Sequence, residues 1–247
     1  MHNIKLIIEY DGTNYCGWQV QRRNHKKASI QDTLEKTLSK ILQQKIRLIG
    51  SGRTDAGVHA KAQVANFKTN TPIELIKLQK SLNGLLPDDI KVLKTEEASL
   101  NFHSRFDAKS KIYRYTILNR PYPSVFLKNS TYFYPYHLNV KLMQKEAKGL
   151  LGRHDFKSFQ ASDKTERDSV RIIKKISITK DKDLIHINIE ADGFLYNMVR
   201  NIAGTLIEIG RGKFPEGSLK RIVALRDRRV AGPTLPACGL CLVKVKY

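Results

Sequence analysis

Cysteine, acid and long apolar runs are what this chain has little of. Three cysteines in 247 residues cannot build a disulfide framework. Cys238 and Cys241 form a single Cys-x-x-Cys, whereas a structural zinc wants four ligands. The pair falls across a turn into an apolar strand (Leu240, Leu242, Val243, Val245), where burial is the simpler reading. No apolar run approaches the ~18 residues of a spanning helix, and Lys5, Glu9 and Asp11 interrupt the N-terminal apolar stretch, unlike a secretory signal. The expectation is a cytoplasmic chain with no metal and no membrane anchor. The glycines fit neither the Walker nor the dinucleotide pattern, and Ser51 lies in Gly-Ser-Gly rather than Gly-x-Ser-x-Gly. No nucleotide cofactor and no serine nucleophile elbow are expected.

The shortage of acid has a counterpart in base. There are 44 Lys and Arg against 23 Asp and Glu, a net charge of +21. That excess exceeds what solubility needs and points to a polyanionic partner, for which nucleic acid fits better than a membrane. The basic clusters are Arg22-Arg23 with Lys26-Lys27, Arg105 to Arg114, Lys164 to Lys175, and Arg226 with Arg228-Arg229. Each alone is a solvated face; together they read as an electrostatic track. A hydrophobic content of 41% supplies a sizeable core, and the length suits one large or two small domains.

Periodicity predicts the elements. Strands are expected at Ile4–Tyr10, Arg47–Gly50, Val58–Phe67 and Ile90–Leu93. A helix capped by Ser29 is expected from Ile30 to about Gln43, and one opened by Pro72 runs through Leu82. After a basic connector the order partly repeats. A strand at Ile112–Leu118 precedes a helix at Val140–Leu151 and a strand pair at Ile172–Thr179 and Asp183–Ala191. Helices follow at Tyr196–Ile209 and near Ser218–Leu225. Strands and helices mixed without strict alternation argue for the α+β class.

The segment Gly50-Ser51-Gly52-Arg53-Thr54-Asp55-Ala56-Gly57-Val58-His59 stands out. A carboxylate two positions after an arginine sits in a glycine-punctuated turn between apolar runs, where backbone can approach a ligand closely. An Arg53 guanidinium held near Asp55 would favour the ionised carboxylate, a nucleophile or base at neutral pH. A solvated Arg53–Asp55 pair in a plain turn is the bland alternative.

This segment, with Gln63-Val64 and Phe67 behind it, resembles the signature of the tRNA pseudouridine synthase A family. Matches follow in the family's chain order: Tyr10-Asp11-Gly12, Tyr15 and Gly17-Trp18-Gln19; then Phe102-His103-Ser104-Arg105-Phe106, Lys111, Tyr113 and Tyr115. His154-Asp155-Phe156, Phe194, Asn197-Met198-Val199-Arg200-Asn201 and Ala231-Gly232-Pro233-Thr234 complete them. The resemblance implies two similar α+β halves, residues 1–106 carrying the Asp55 loop and 107–247 completing the site. Their mixed, largely antiparallel sheets would form one helix-flanked platform with an RNA cleft between the halves. It also implies a tRNA substrate, modified at uridines 38, 39 and 40 of the anticodon stem-loop, and a homodimer with no cofactor.

Isomerising uridine breaks C1′–N1 and joins C1′ to C5, so no atom is lost and no redox cofactor or metal is required. Asp55 is expected as nucleophile, at C6 of the base, at C1′, or by way of a glycal. Arg53 is assigned to Asp55 or to a target phosphate. By resemblance Tyr113 stacks on the displaced uracil; the plain reading is a half-buried strand tyrosine. Arg200, a charge in an apolar helix, wants an anionic partner, with a structural salt bridge or snorkelling as the alternatives. His59, His103 and Arg105 are weaker candidates for RNA contact. A non-catalytic RNA-binding or RNA-folding protein, and an RNA glycosylase, are the competing classes. A glycoside hydrolase would call for a second, paired carboxylate, and none is evident in the sequence.

Overall fold

The structure is a computed structural model that describes residues 1–19, 27–72, 74–161 and 168–247. It divides into two compact units. The first comprises Met1–Lys109 with Leu242–Tyr247, the second Ser110–Cys241. The boundary therefore lies three residues beyond the expected 106/107, and the last six residues return to the first unit. Local bonds explain that return. Lys109 N donates to Lys246 O at 2.8 Å, and the Tyr247 hydroxyl donates to Ser104 O at 2.7 Å.

The first unit holds strands β1 (His2–Tyr10), β2 (Ile49–Gly50), β3 (His59–Thr69) and β4 (Ile90–Ala98), with helices α1 (Ile30–Leu42) and α2 (Leu75–Leu85). Strand β1 is central, antiparallel to both β3 and β4, and β2 adds to β3. Alternation in β1 sends Ile4, Leu6 and Ile8 into the core, and Leu34 and Leu38 of α1 and Leu78 and Leu82 of α2 are likewise buried. Ser29 caps α1 as expected, its Oγ accepting from Asp32 N at 3.1 Å.

Expected strand 47–50 shrinks to two residues because α1 takes its neighbours' hydrogen bonds. Ile46 N donates to Ser39 Oγ (3.1 Å), Leu48 N to Glu35 Oε1 (2.8 Å), and Gln31 Nε2 to Leu48 O (3.1 Å). Helix α2 starts at Leu75 rather than Pro72, with Glu74 as its cap residue.

The second unit holds β5 (Ser110–Leu118), β6 (Tyr132–Phe133), β7 (Gly152–Asp155), β8 (Val170–Asp181) and β9 (Leu184–Ala191). Helices α3 (Val140–Ala147), α4 (Met198–Gly210) and α5 (Ser218–Leu225) accompany them, and β10 (Leu240–Lys246) closes the chain. The order β5-β9-β8-β7 is antiparallel throughout, and the short β6 lies parallel to β5. Both units pair their first strand antiparallel to a later one that carries a further neighbour: β1–β3–β2 in one, β5–β9–β8 in the other. That is the expected α+β class with largely antiparallel sheets.

Helix α4 packs on β5 and α3; its Ile202, Ala203 and Leu206 are buried, as are Tyr115 and Ile117 on β5 and Met143 on α3. Glu146, buried on α3, accepts from Gly217 N (2.8 Å) and Leu219 N (3.1 Å), placing its carboxylate at the start of α5. Among the described residues no helix is long and apolar enough to cross a membrane.

Candidate active site

Asp55 is the one carboxylate between Glu35 and Glu74, and the chain around it is held from three sides. Strand β2 brings it in, with Gly50 opposite Ala65. Ser51 N donates to Val64 O (2.7 Å), Ser51 Oγ bonds Gln63 Oε1 (2.6 Å), and Gln63 Nε2 donates to Gly52 O (3.0 Å). Gln63 is fully buried, so its amide holds the loop's entry by both ends.

The segment after β1 forms the second support. Trp18 N donates to Thr54 O (3.0 Å), and the Tyr10 hydroxyl lies 2.8 Å from Thr54 Oγ1. Gly12 and Gly17 let this segment touch the loop's backbone. A Cβ at Gly12 would collide with the Val58 carbonyl, and one at Gly17, which takes φ +105°, would lie 2.6 Å from Thr54 O. Third, Val58 N closes back onto Asp55 O at 3.1 Å. The result is a half-buried Asp55 side chain on a backbone with little freedom to move.

Arg53 does not meet the expectation placed on it as the carboxylate's neighbour. It is exposed and, among the described residues, forms neither a hydrogen bond nor an ion pair, so it is not what holds Asp55. Buried Thr54 lies between exposed Arg53 and half-buried Asp55.

His59, at the start of β3, is 12% exposed. Its Nδ1 lies 3.0 Å from Asp11 Oδ1 and 3.2 Å from Gly12 N. A protonated Nδ1 donates to Asp11, an unprotonated one accepts from Gly12, and the tautomer selects between them. Burial pulls the Asp11 carboxyl up, but hydrogen bonds from Thr13 and the nearby His59 more than reverse this, leaving it below its ordinary range. His59 thus ties the Gly12 turn to β3.

Arg105 is exposed in the turn at 102–107, its guanidinium 5.8 Å from the Phe106 ring. In the sequence Gln63, Tyr10 and Gly17 stood out only as matches to the family and not as supports; Gly12 and Gly17, bracketing Thr13–Cys16, were the available signal.

In the second unit Tyr113 lies on β5 opposite Ile189, buried, with the Phe194 ring edge-on at 5.0 Å. Arg200 is half-buried on the first turn of α4. Its Nε donates to Leu235 O (2.6 Å) and its Nη1 to Asn197 Oδ1 (2.7 Å). Asn197 takes φ +58°, so the helix begins at Met198 rather than Tyr196. Next to it, fully buried Asn201 donates to Phe159 O (2.7 Å), while its Oδ1 lies 3.1 Å from Arg228 Nη2 and 2.5 Å from Thr234 Oγ1. Each arginine of the last basic cluster has a partner within the fold, although Arg226 and Arg229 stay exposed. Arg228 serves Asn201, Arg226 meets Asp155 (3.2 Å) and Arg229 meets Asp227 (2.7 Å). Arg22, Arg23, Lys26 and the 164–167 part of another cluster lie outside the described residues.

The Cys238 thiol lies 3.4 Å from Thr131 O, and burial pushes it up. Burial likewise raises the Tyr115 phenol, against the opposing charge of Arg200.

The sequence pattern of the family described as tRNA pseudouridine synthase matches residues 6–107 and 147–247. The chain belongs to that family. It is 47% identical to the tRNA pseudouridine synthase A of Clostridium acetobutylicum and 46% identical to that of Acetivibrio thermocellus. It is also 46% identical to the tRNA pseudouridine synthase A 2 of Clostridium perfringens. All three alignments run over 247 residues and cover both chains completely. Members of the family are isomerases that convert uridine in tRNA to pseudouridine, and this chain is one of them. The matched segments of this synthase include Arg53, Asp55, His59, Arg105 and Arg200, while Tyr113 falls in the stretch between them.

Proposed function

We propose that this synthase modifies uridines 38, 39 and 40 in the anticodon stem-loop of tRNA, with Asp55 as its nucleophile. The observation that supports the assignment is the clamp on residues 51–58. It fixes the backbone on either side of one half-buried carboxylate, and such preorganisation serves a reacting group.

The carboxylate attacks C6 or C1′, or takes the 2′ proton first. In each case C1′–N1 breaks, the uracil turns within the site, C1′–C5 forms and the C5 proton leaves. Tyr113 stacks on the displaced base, and Arg200 presents its guanidinium to the RNA. Arg53, exposed and uncommitted to the fold among the described residues, takes a phosphate. His59 holds the loop's exit and Arg105 contacts RNA. No metal or nucleotide enters this scheme. The protein works in the cytoplasm as a homodimer, a state that light scattering of the purified chain measures directly.

The test is Asp55→Ala on unmodified tRNA, with nucleoside analysis of the product. Binding persists and pseudouridine disappears if the assignment holds. Release of free uracil by the wild type would instead mark a glycosylase, and no product at any enzyme concentration would mark a protein that only binds RNA.

A further inference from the structure

The two phenylalanines of the 102–106 turn have opposite fates. Phe102 is half-buried, its ring 5.0 Å from Tyr247 and 5.6 Å from Lys5 Nζ. Phe106 is 75% exposed. An exposed phenyl on a loose loop would be ordinary, but this one is held. The His103 ring stacks on it at 4.2 Å with 28° between planes, and Arg105 stands at its side, 5.8 Å from the centroid.

The turn itself is tied down. His103 Nδ1 accepts from Arg105 N and Phe106 N (3.2 Å each). His103 N donates to Asp107 Oδ2 (2.9 Å), and Asp107 N to His103 O (3.0 Å). Ser104, fully buried, anchors all of this to the floor of the first unit. Its N donates to Asn66 Oδ1 on β3 (3.0 Å), its Oγ bonds Ile49 O on β2, and its O accepts from Tyr247. Strand β2 is the strand that leads into the Asp55 loop, so the ring and the carboxylate rest on one rigid base.

We infer that Phe106, backed by His103 and flanked by Arg105, is a stacking platform for an unpaired nucleobase of the RNA. Imidazole stacks on the ring, the Arg105 guanidinium stands 5.8 Å from its centroid, and most of the side chain remains exposed. A guanidinium sits where it can meet the base's own phosphate or its π-face. Every base offers a π-face, so the platform grips without reading sequence. It suits an enzyme acting on several neighbouring uridines, because the base beside the target changes each time. This inference rests on the tRNA-isomerase reading and adds a second contact to the same substrate.

The experiment uses the full chain and an unmodified tRNA transcript, plus a set of transcripts with one anticodon-loop base removed in each. Phe106→Ala should weaken binding of the intact RNA about ten-fold and Phe106→Trp should restore it. The chain's one native tryptophan, Trp18, is buried, so the introduced indole reports by quenching of its emission when RNA binds. The penalty of Phe106→Ala should vanish on one of the base-deleted transcripts. Wild-type affinity in Phe106→Ala, an unquenched indole, or a penalty equal on every transcript would each overturn the platform. Pseudouridine formation by the wild type is measured in parallel. Its absence sinks the isomerase reading, whereas turnover with an insensitive Phe106 sinks only the platform.

Discussion

Gly17 lies against the carbonyl of Thr54 so closely that a Cβ on it would stand 2.6 Å from the oxygen, and it does so at φ +105°. Thr54 immediately precedes Asp55. A neighbouring stretch thus presses directly on the backbone next to the proposed nucleophile. Trp18 N and the Tyr10 hydroxyl bond the same residue, so three contacts from one segment converge just before the carboxylate.

Gly17→Ala should therefore cost stability twice, through backbone strain and through the collision with Thr54. A loss of about 2 kcal/mol or more is expected in urea unfolding. Activity per folded molecule should fall as well, because the loop must shift to admit the methyl. Unaltered stability and turnover would show that the close approach does not constrain the loop.

Tyr10→Phe tests the same clamp more gently. The pair it breaks is buried, and Thr54, 6% exposed, loses its hydroxyl partner. About 1–2 kcal/mol of stability should go, accompanied by a lower kcat at saturating tRNA.

In the second unit Asn201→Leu should be among the costliest single changes. It strips hydrogen-bond partners from Phe159 O, Arg228 and Thr234 at a fully buried position. A loss of about 3 kcal/mol is expected, seen as a lowered midpoint with the slope of the denaturation curve unchanged.

Acid sensitivity should trace in part to Asp11. Its folded carboxyl lies below its ordinary value, so its contribution is present above the unfolded pKa of about 4 and is lost as pH falls through the folded value. The stability gap between wild type and Asp11→Asn should be constant above about pH 5 and close below about pH 4. A gap that instead widened in acid would reverse the sign of this linkage.

The elements legible in the sequence were those whose backbone bonds and burial are local. Strand β1 alternates cleanly, α1 carries both its cap and its apolar stripe, and the β8–β9 hairpin turns near the polar residues expected, with Lys182 at φ +49°. What failed did so through distant partners. Residues 47–50 read as strand, but α1 side chains bind the Leu48 amide and carbonyl and the Ile46 amide just before it. The two-residue β6 and the polar β7 (Gly-Arg-His-Asp) have no alternation to read, because a neighbouring strand defines each of them. Asp55 stood out in the sequence because a lone acid in a glycine-rich turn is unusual, and its role as nucleophile is the reading proposed above. Arg53 was singled out by its spacing of two from Asp55, and it stands exposed.

Salt should govern RNA affinity. With a net charge of +21 and about six phosphates neutralised, the dissociation constant should rise by roughly 10³ between 50 and 200 mM salt. Phe106→Ala should leave that slope unaltered, since stacking releases no counterion.

The most direct measurement is single-turnover conversion of unmodified tRNA by Asp55→Asn at saturating enzyme, with binding measured on the same sample. This substitution keeps size and polarity but removes the nucleophilic charge. Wild-type affinity with no pseudouridine is the result expected; pseudouridine formed at the wild-type rate would contradict the account.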